Sequence, residues 1–230
     1  MYKLVLAFTL STALLLSPHP KSTTHAVPLP EEDGPWVNPC GGGAPVSGSI
    51  PSLPTLPPMP LGIDLTSLKY ESQTAATLTD KITYIIKSRI GSTAAQLLHT
   101  SPSLTGFPGT GASFTPGVLI EDILFNETER LSQIGVFLEL ARLDTYDYTQ
   151  KLEGLENKYV EMLCLMQDML GGLNQEVVTD VSRDIMPSEY SVLKDISEID
   201  RRNYLIMRDA KQIFVAIADR VDAYLQEHHL

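Results

Sequence analysis

The sequence predicts an all-α fold: an up-up-down-down four-helix bundle with two long crossover loops, preceded by a Pro/Gly-rich N-terminal segment. Three observations predict it. Apolar residues recur at three- and four-residue steps over four long stretches, the mark of buried helical stripes. No strand-like alternation of useful length interrupts them. The stretches are joined in the order long, short, long; a short turn forces antiparallel neighbours, whereas a long connection can leave its two helices parallel. A connection of about 17 residues reaches ~55 Å when extended, against ~37 Å for a helix of about 25 residues, so both long connections can cross a bundle. An up-down-up-down bundle with slack loops is the alternative that the loop lengths leave open.

The chain opens with "MYKLVLAFTLSTALLL", one basic residue (Lys3) and then an apolar run from Leu4 to Leu16. That run is too short to span a bilayer and has the form of a secretory signal, residues 1–26, with cleavage expected after Ala26. A cut nearer Ser17 is the alternative. No later run is apolar for long enough to cross a membrane, so the mature chain is expected to be secreted, with no membrane insertion. The whole chain carries a formal charge of -11, and losing Lys3 and Lys21 with the leader makes the remainder more acidic still. This excludes nucleic acid and anionic membrane surfaces as natural partners.

Residues 27–62 contain ten prolines and six glycines, with stretches such as "PSLPTLPPMPLG". Such a segment is expected to be extended and to bury no core of its own. Residues 63–230 form the helical domain. The first helix is expected from about Asp64 or Ser72 to Thr100, on the stripe Leu78, Ile82, Ile85, Ile86, Ile90, Leu97 and Leu98, with a kink at Gly91. "SPSLTGFPGTGASFTPG" is the first long loop. The second helix carries Val118, Ile120, Ile123, Leu124, Leu131, Ile134, Phe137, Leu138 and Ala141. Asp144, Thr145, Asp147 and Thr149 then mark a short turn. The third helix runs on Leu152, Leu155, Tyr159, Met162, Leu163, Met166, Met169 and Leu170 and is expected to stop at Gly171 and Gly172. After the second long connection, Ser188 and Glu189 stand in cap order before the last helix. Its stripe is Val192, Ile196, Ile199, Ile206, Ile213, Phe214, Ile217, Val221 and Leu225.

Cysteines and a sequon fit the secretory reading. Cys40 and Cys164 are the only two cysteines, and in an oxidising compartment they are expected to be joined; a buried, unpaired Cys164 is the alternative. Asn126, in "NET", is the expected glycosylation site. Chemistry is harder to find. His99 stands alone, His228 and His229 lie at the terminus, and no H-E-x-x-H, paired Cys-x-x-Cys or G-x-S-x-G occurs. "GTGASF" lacks the strand, lysine and third glycine of a phosphate loop. No catalytic residue, metal ligand or cofactor is therefore assigned, and the expectation is a binding protein, not an enzyme.

Three segments, "LTDKITYIIKSRIGSTAAQLL" followed by "GFP", "EGLENKYVEMLCLMQ" and "RRNYLIMRDAKQIFVAIADRVDAYL", resemble the interleukin-6 family of long-chain helical cytokines, in its leukaemia inhibitory factor and ciliary neurotrophic factor branch. The likeness covers about half of the mature chain, in matching order. It implies a secreted ligand, monomeric when free, that assembles cell-surface class I cytokine receptors of the shared signal-transducing type and triggers JAK/STAT signalling. It also implies a disulfide tying the N-terminal segment to the third helix, where Cys40 and Cys164 stand. The family's shared-receptor face lies on the first and third helices, which here offer Lys81, Tyr84 and Ser88, and Glu153, Asn157 and Glu161, both rows off the apolar stripes. At the start of the last helix the family branch has a Phe-x-x-Lys pair; this chain has Tyr190 and Lys194, expected to share a face at i, i+4. A secreted bundle that carries lipid or another small apolar ligand is the other function class.

Overall fold

A computed structural model describes residues 34–40, 61–145, 147–175 and 181–230. The expected signal segment, most of the Pro/Gly-rich stretch, Tyr146 and residues 176–180 lie outside them. The described chain is all-helical: α1 (Leu61–Ile90), α2 (Ser92–His99), α3 (Ile120–Leu143), α4 (Thr149–Gly172) and α5 (Ile196–His228), with single 3-10 turns at Arg183–Ile185 and Ser188–Tyr190. No strand occurs among the described residues.

Helix α1 begins at Leu61, ahead of the expected Asp64, and ends at Gly91 instead of running to Thr100. Gly91 has φ 83° and ψ 155°, a backbone state open almost only to glycine, so the expected kink is a full break. The chain turns, and α2 packs Ala95 inward while Leu97, expected on the buried stripe, is 68% exposed. The last helix also starts late. Ser188 opens a 3-10 turn, and the cap is Asp195, whose carboxylate accepts from the N–H groups of Ser197 (2.7 Å) and Glu198 (3.2 Å). Val192 and Ile196 therefore do not belong to the buried stripe and are exposed. Apart from the half-buried Ile199, the remaining stripe residues of α3, α4 and α5 meet in one core.

Cross-helix pairs fix the packing. Between α1 and α5 they are Lys69 with Asp222, Asp80 with Lys211 (2.8 Å) and Arg89 with Asp200 (2.8 Å), so one helix descends as the other rises. Glu71 meets Lys158 of α4 at 3.0 Å, and Arg89 meets Asp147 just before α4. Thr128 of α3 reaches Met166 of α4, and Arg142 pairs with Glu156 at 2.9 Å. Glu127 pairs with Arg220 of α5 at 2.7 Å, while Asp144, at the end of α3, pairs with Arg202 at 2.8 Å. Each of these four helix pairs is antiparallel.

Both long connections are bonded to the helices they pass. The first runs along α5: Arg208 Nη1 donates to the carbonyls of Leu98 (2.5 Å) and Ser101 (2.7 Å), Arg220 Nη1 to those of Thr110 (2.9 Å) and Ala112 (3.1 Å), and Glu227 accepts from Gly117 N–H (3.1 Å). The second runs along α3. Arg183 grips Glu139 through two bonds of 2.8 and 2.9 Å, and Arg202 Nη1 donates to the carbonyl of Tyr190 at 2.7 Å. Carbonyls of a loop laid against helices need donors, and arginines on α5 supply them.

Cys40 and Cys164 form a disulfide with their Cα atoms 5.0 Å apart. The segment around Cys40 is more than a tethered tail. Trp36 is 1% exposed, donates from Nε1 to the carbonyl of Val181 at 3.0 Å and lies 5.3 Å under the Arg183 guanidinium. The expectation that this stretch buries no core is thus corrected at Trp36, whose indole fills space that the helices leave open.

Candidate interaction surfaces

The outer surface of α1 is set by what its other faces bury. Leu65, Leu68, Ala75, Thr79, Ile82 and Ile86 point to the core, leaving Lys81, Tyr84 and Ser88 exposed on the far side. Tyr84 is 76% exposed, the largest value among the exposed large apolar and aromatic side chains of the described residues. Its neighbour one turn earlier, Asp80, bonds to Lys211, so Tyr84 leans toward α5 and away from α4. The Ser88 hydroxyl is already engaged, donating to the Ile85 carbonyl at 2.7 Å. Tyr70, 65% exposed and flanked by Lys69 and Glu71, lies on the same outer side, outside the rows that the sequence predicts. The signal was present: an aromatic off the apolar stripe, between charges.

On α4 the residues Glu153, Asn157 and Glu161 are all exposed. Glu161 is held by Lys158 Nζ at 2.5 Å, and the same ammonium bridges to Glu71 of α1 at 3.0 Å. That bridge joins the two helices whose outer surfaces carry the predicted rows. The surface is mixed in charge, with an aromatic at one margin.

The predicted pair at the start of the last helix is not brought together as expected. Tyr190 closes a 3-10 turn and Lys194 precedes the helix, so no helical i, i+4 relation exists between them. Tyr190 is partly buried, its hydroxyl accepting from Thr105 N–H at 3.0 Å and its carbonyl from Arg202. It fastens one crossover to the other. What the mouth of α5 presents to solvent is Lys194 with Val192 (49% exposed) and Ile196 (66%).

Asn126 is exposed on α3, with its amide donating to the Asp122 carbonyl at 2.7 Å. Among the described residues, the cluster with metal-ligand spacing is Cys40, Cys164 and Asp168. Its two sulfurs are bonded to each other, so no thiolate is offered to a metal. A groove of about 520 Å³ between α1, α2 and α5 is bordered by Asp80, Arg208, Lys211 and Asp219. Tyr204, Val215 and Ala216 make the apolar part of its lining. No described helix is long and apolar enough to cross a membrane.

Compared with models of known protein families, with curated proteins and with solved structures, the chain matches none.

Proposed function

We propose that this chain is a secreted helical cytokine of the interleukin-6 type, an up-up-down-down bundle that acts by assembling class I receptor chains. The observation behind this reading is the antiparallel register of four helix pairs: α1 and α3 each oppose both α4 and α5. That relation makes α1 parallel to α3 and α4 parallel to α5, and parallel sequential helices need the two long bonded connections. The outer surfaces of α1 and α4, with Lys81, Tyr84, Ser88, Glu153, Asn157 and Glu161, form the shared-receptor face. Val192, Lys194 and Ile196 form a second contact at the mouth of α5. The free ligand is a monomer and no catalysis is involved.

The test is a screen of the secreted protein against cytokine-receptor ectodomains, with STAT phosphorylation as readout. An exposed aromatic that packs into a partner as a hot spot contributes about 2 kcal/mol or more, so Tyr84→Ala is expected to weaken receptor binding ~30-fold. Combining it with Asn157→Arg, which places an extra charge against the partner, should abolish the STAT response. The melting temperature should stay near wild type, because both residues lie outside the core. Full activity of the double variant removes the α1/α4 face from the proposal. Stoichiometric uptake of an apolar fluorophore by the folded protein would favour a lipid carrier instead.

A further inference from the structure

The disulfide lies in an acidic setting. Cys40 is exposed and Cys164 half-buried, so a reagent arriving from solvent meets the Cys40 sulfur first. Beside Cys40 Sγ, at 3.8 Å, is the neutral Gln167 Oε1. The exposed Asp168, one turn beyond Cys164 on α4, places Oδ2 3.9 Å from Cys164 Sγ. Asp64, in the first turn of α1, stands near the same spot: burial, and then the Asp168 carboxylate, hold its carboxyl above the ordinary range. Among the described residues neither aspartate forms an ion pair with a lysine or arginine.

A small thiol can cut this bond in two steps. Its thiolate attacks Cys40 Sγ, forming a new S–S bond there and breaking the bond to Cys164, whose sulfur leaves with the electron pair. A second thiolate attacks the reagent sulfur of that mixed disulfide and expels Cys40. Two reagent thiols are thereby oxidised to their disulfide, and the two cysteine thiolates take up protons from water. The first step is slow when the leaving thiolate is unstable, and a carboxylate 3.9 Å away disfavours charge developing on Cys164. The same field repels a thiol whose own body is anionic and attracts one that carries an ammonium.

Cutting the bond has a consequence at a distance. Cys40 anchors the segment of Trp36, whose indole donates to the Val181 carbonyl at 3.0 Å and lies 5.3 Å under the Arg183 guanidinium. Arg183 in turn grips Glu139 of α3. We propose that the Cys40–Cys164 bond is a charge-guarded redox switch on the second crossover: Asp168 and Asp64 slow its cleavage by anionic thiols, cationic thiols cut it faster, and cleavage loosens the crossover by releasing Trp36.

The full chain is treated with cysteamine, a cationic thiol, or with 3-mercaptopropionate, an anionic one, at equal thiolate concentration, and alkylatable cysteines are counted by mass over time. At about 0.01 M salt, where charges act over ~30 Å, cysteamine is expected to be several-fold faster; at about 1 M, where they act over ~3 Å, the ratio should shrink. Asp168→Asn should lower the ratio at low salt, with Asp64→Asn as the second variant if the first is not secreted. Asp219→Asn, on the exposed side of α5, should leave it unchanged. A ratio that Asp168→Asn does not move, or that Asp219→Asn moves equally, would overturn the guard and assign the effect to the overall charge of -11. Once the bond is cut, hydrogen exchange across residues 181–186 is expected to rise several-fold while that across 206–217 holds. No rise, or an equal rise in both, would overturn the switch. Neither measurement contains a receptor, so the outcome is independent of the signalling assay.

Discussion

At Gly135 the absence of a side chain is structural. A Cβ there would lie 2.8 Å from Cε3 of Trp36 and 3.2 Å from the ring of Tyr159, closer than packed atoms tolerate. Glycine in mid-helix costs α3 about 1 kcal/mol relative to alanine, and the return is close approach of the indole. Gly135→Ala should therefore destabilise by about 1 to 3 kcal/mol despite its better helix propensity. Combined with Trp36→Leu, much of that loss should disappear, because the clashing ring is gone. Urea midpoints of the two single variants and the double variant measure the coupling; strict additivity would mean that Gly135 does not face Trp36.

Between elements, the hairpin of α3 and α4 holds a carboxylate at a cost. Glu156, whose side chain is 18% exposed, pairs with Arg142 at 2.9 Å. Burial, opposed by Arg142 and reinforced by Glu139 and Glu153, nevertheless raises its pKa above the ordinary 4.5. The folded state therefore binds this proton more tightly than the unfolded one. Its contribution to stability falls as pH rises from 4.5 through the raised folded value and is flat above it. Glu156→Gln lacks that fall, so the variant should gain on wild type between pH about 4 and about 7, read from urea midpoints at the two values. A gap that is constant, or that shifts toward wild type, would show that Arg142 outweighs burial. The same economy of charge recurs at Arg202, where burial lowers the guanidinium's pKa against the pull of Asp144. There the guanidinium also bonds Asn203, whose amide donates to the Tyr148 hydroxyl at 2.9 Å.

Across the whole molecule, the Cys40–Cys164 bond joins positions separated by 124 residues and closes a loop that contains α1, α2, α3 and most of α4. On the chain-entropy account such a bond stabilises by about 5 kcal/mol. Trp36, the sole tryptophan, reports on the segment that it anchors. In the oxidised protein, tryptophan emission and helical ellipticity should follow one unfolding transition, since the indole is part of the core. After reduction, or in Cys164→Ser, the midpoint should fall and the tryptophan transition should come first, the segment having lost its covalent closure. Coincident transitions in both states would show that the indole alone holds the segment.

The sequence by itself determined the helical class, the apolar stripes of α3 and α4, the off-stripe rows on α1 and α4, and the one possible disulfide. Each of these follows from period, composition or count, which are local properties of the chain. Tertiary structure decided the rest. Nothing local in the sequence sets Arg183, Arg202, Arg208 and Arg220 apart, and only folding shows each bonded to a carboxylate or to the carbonyls of a passing loop that has no periodicity to read. Tyr190 resembles a free anchor until Thr105 and Arg202 are seen to hold it. Trp36 sits in a stretch whose composition predicts an extended tail, yet its burial depends on Gly135, Val181 and Arg183, which no local pattern links to it. Local sequence chooses which face of a helix avoids water; which partner fills a gap is fixed only when distant segments meet.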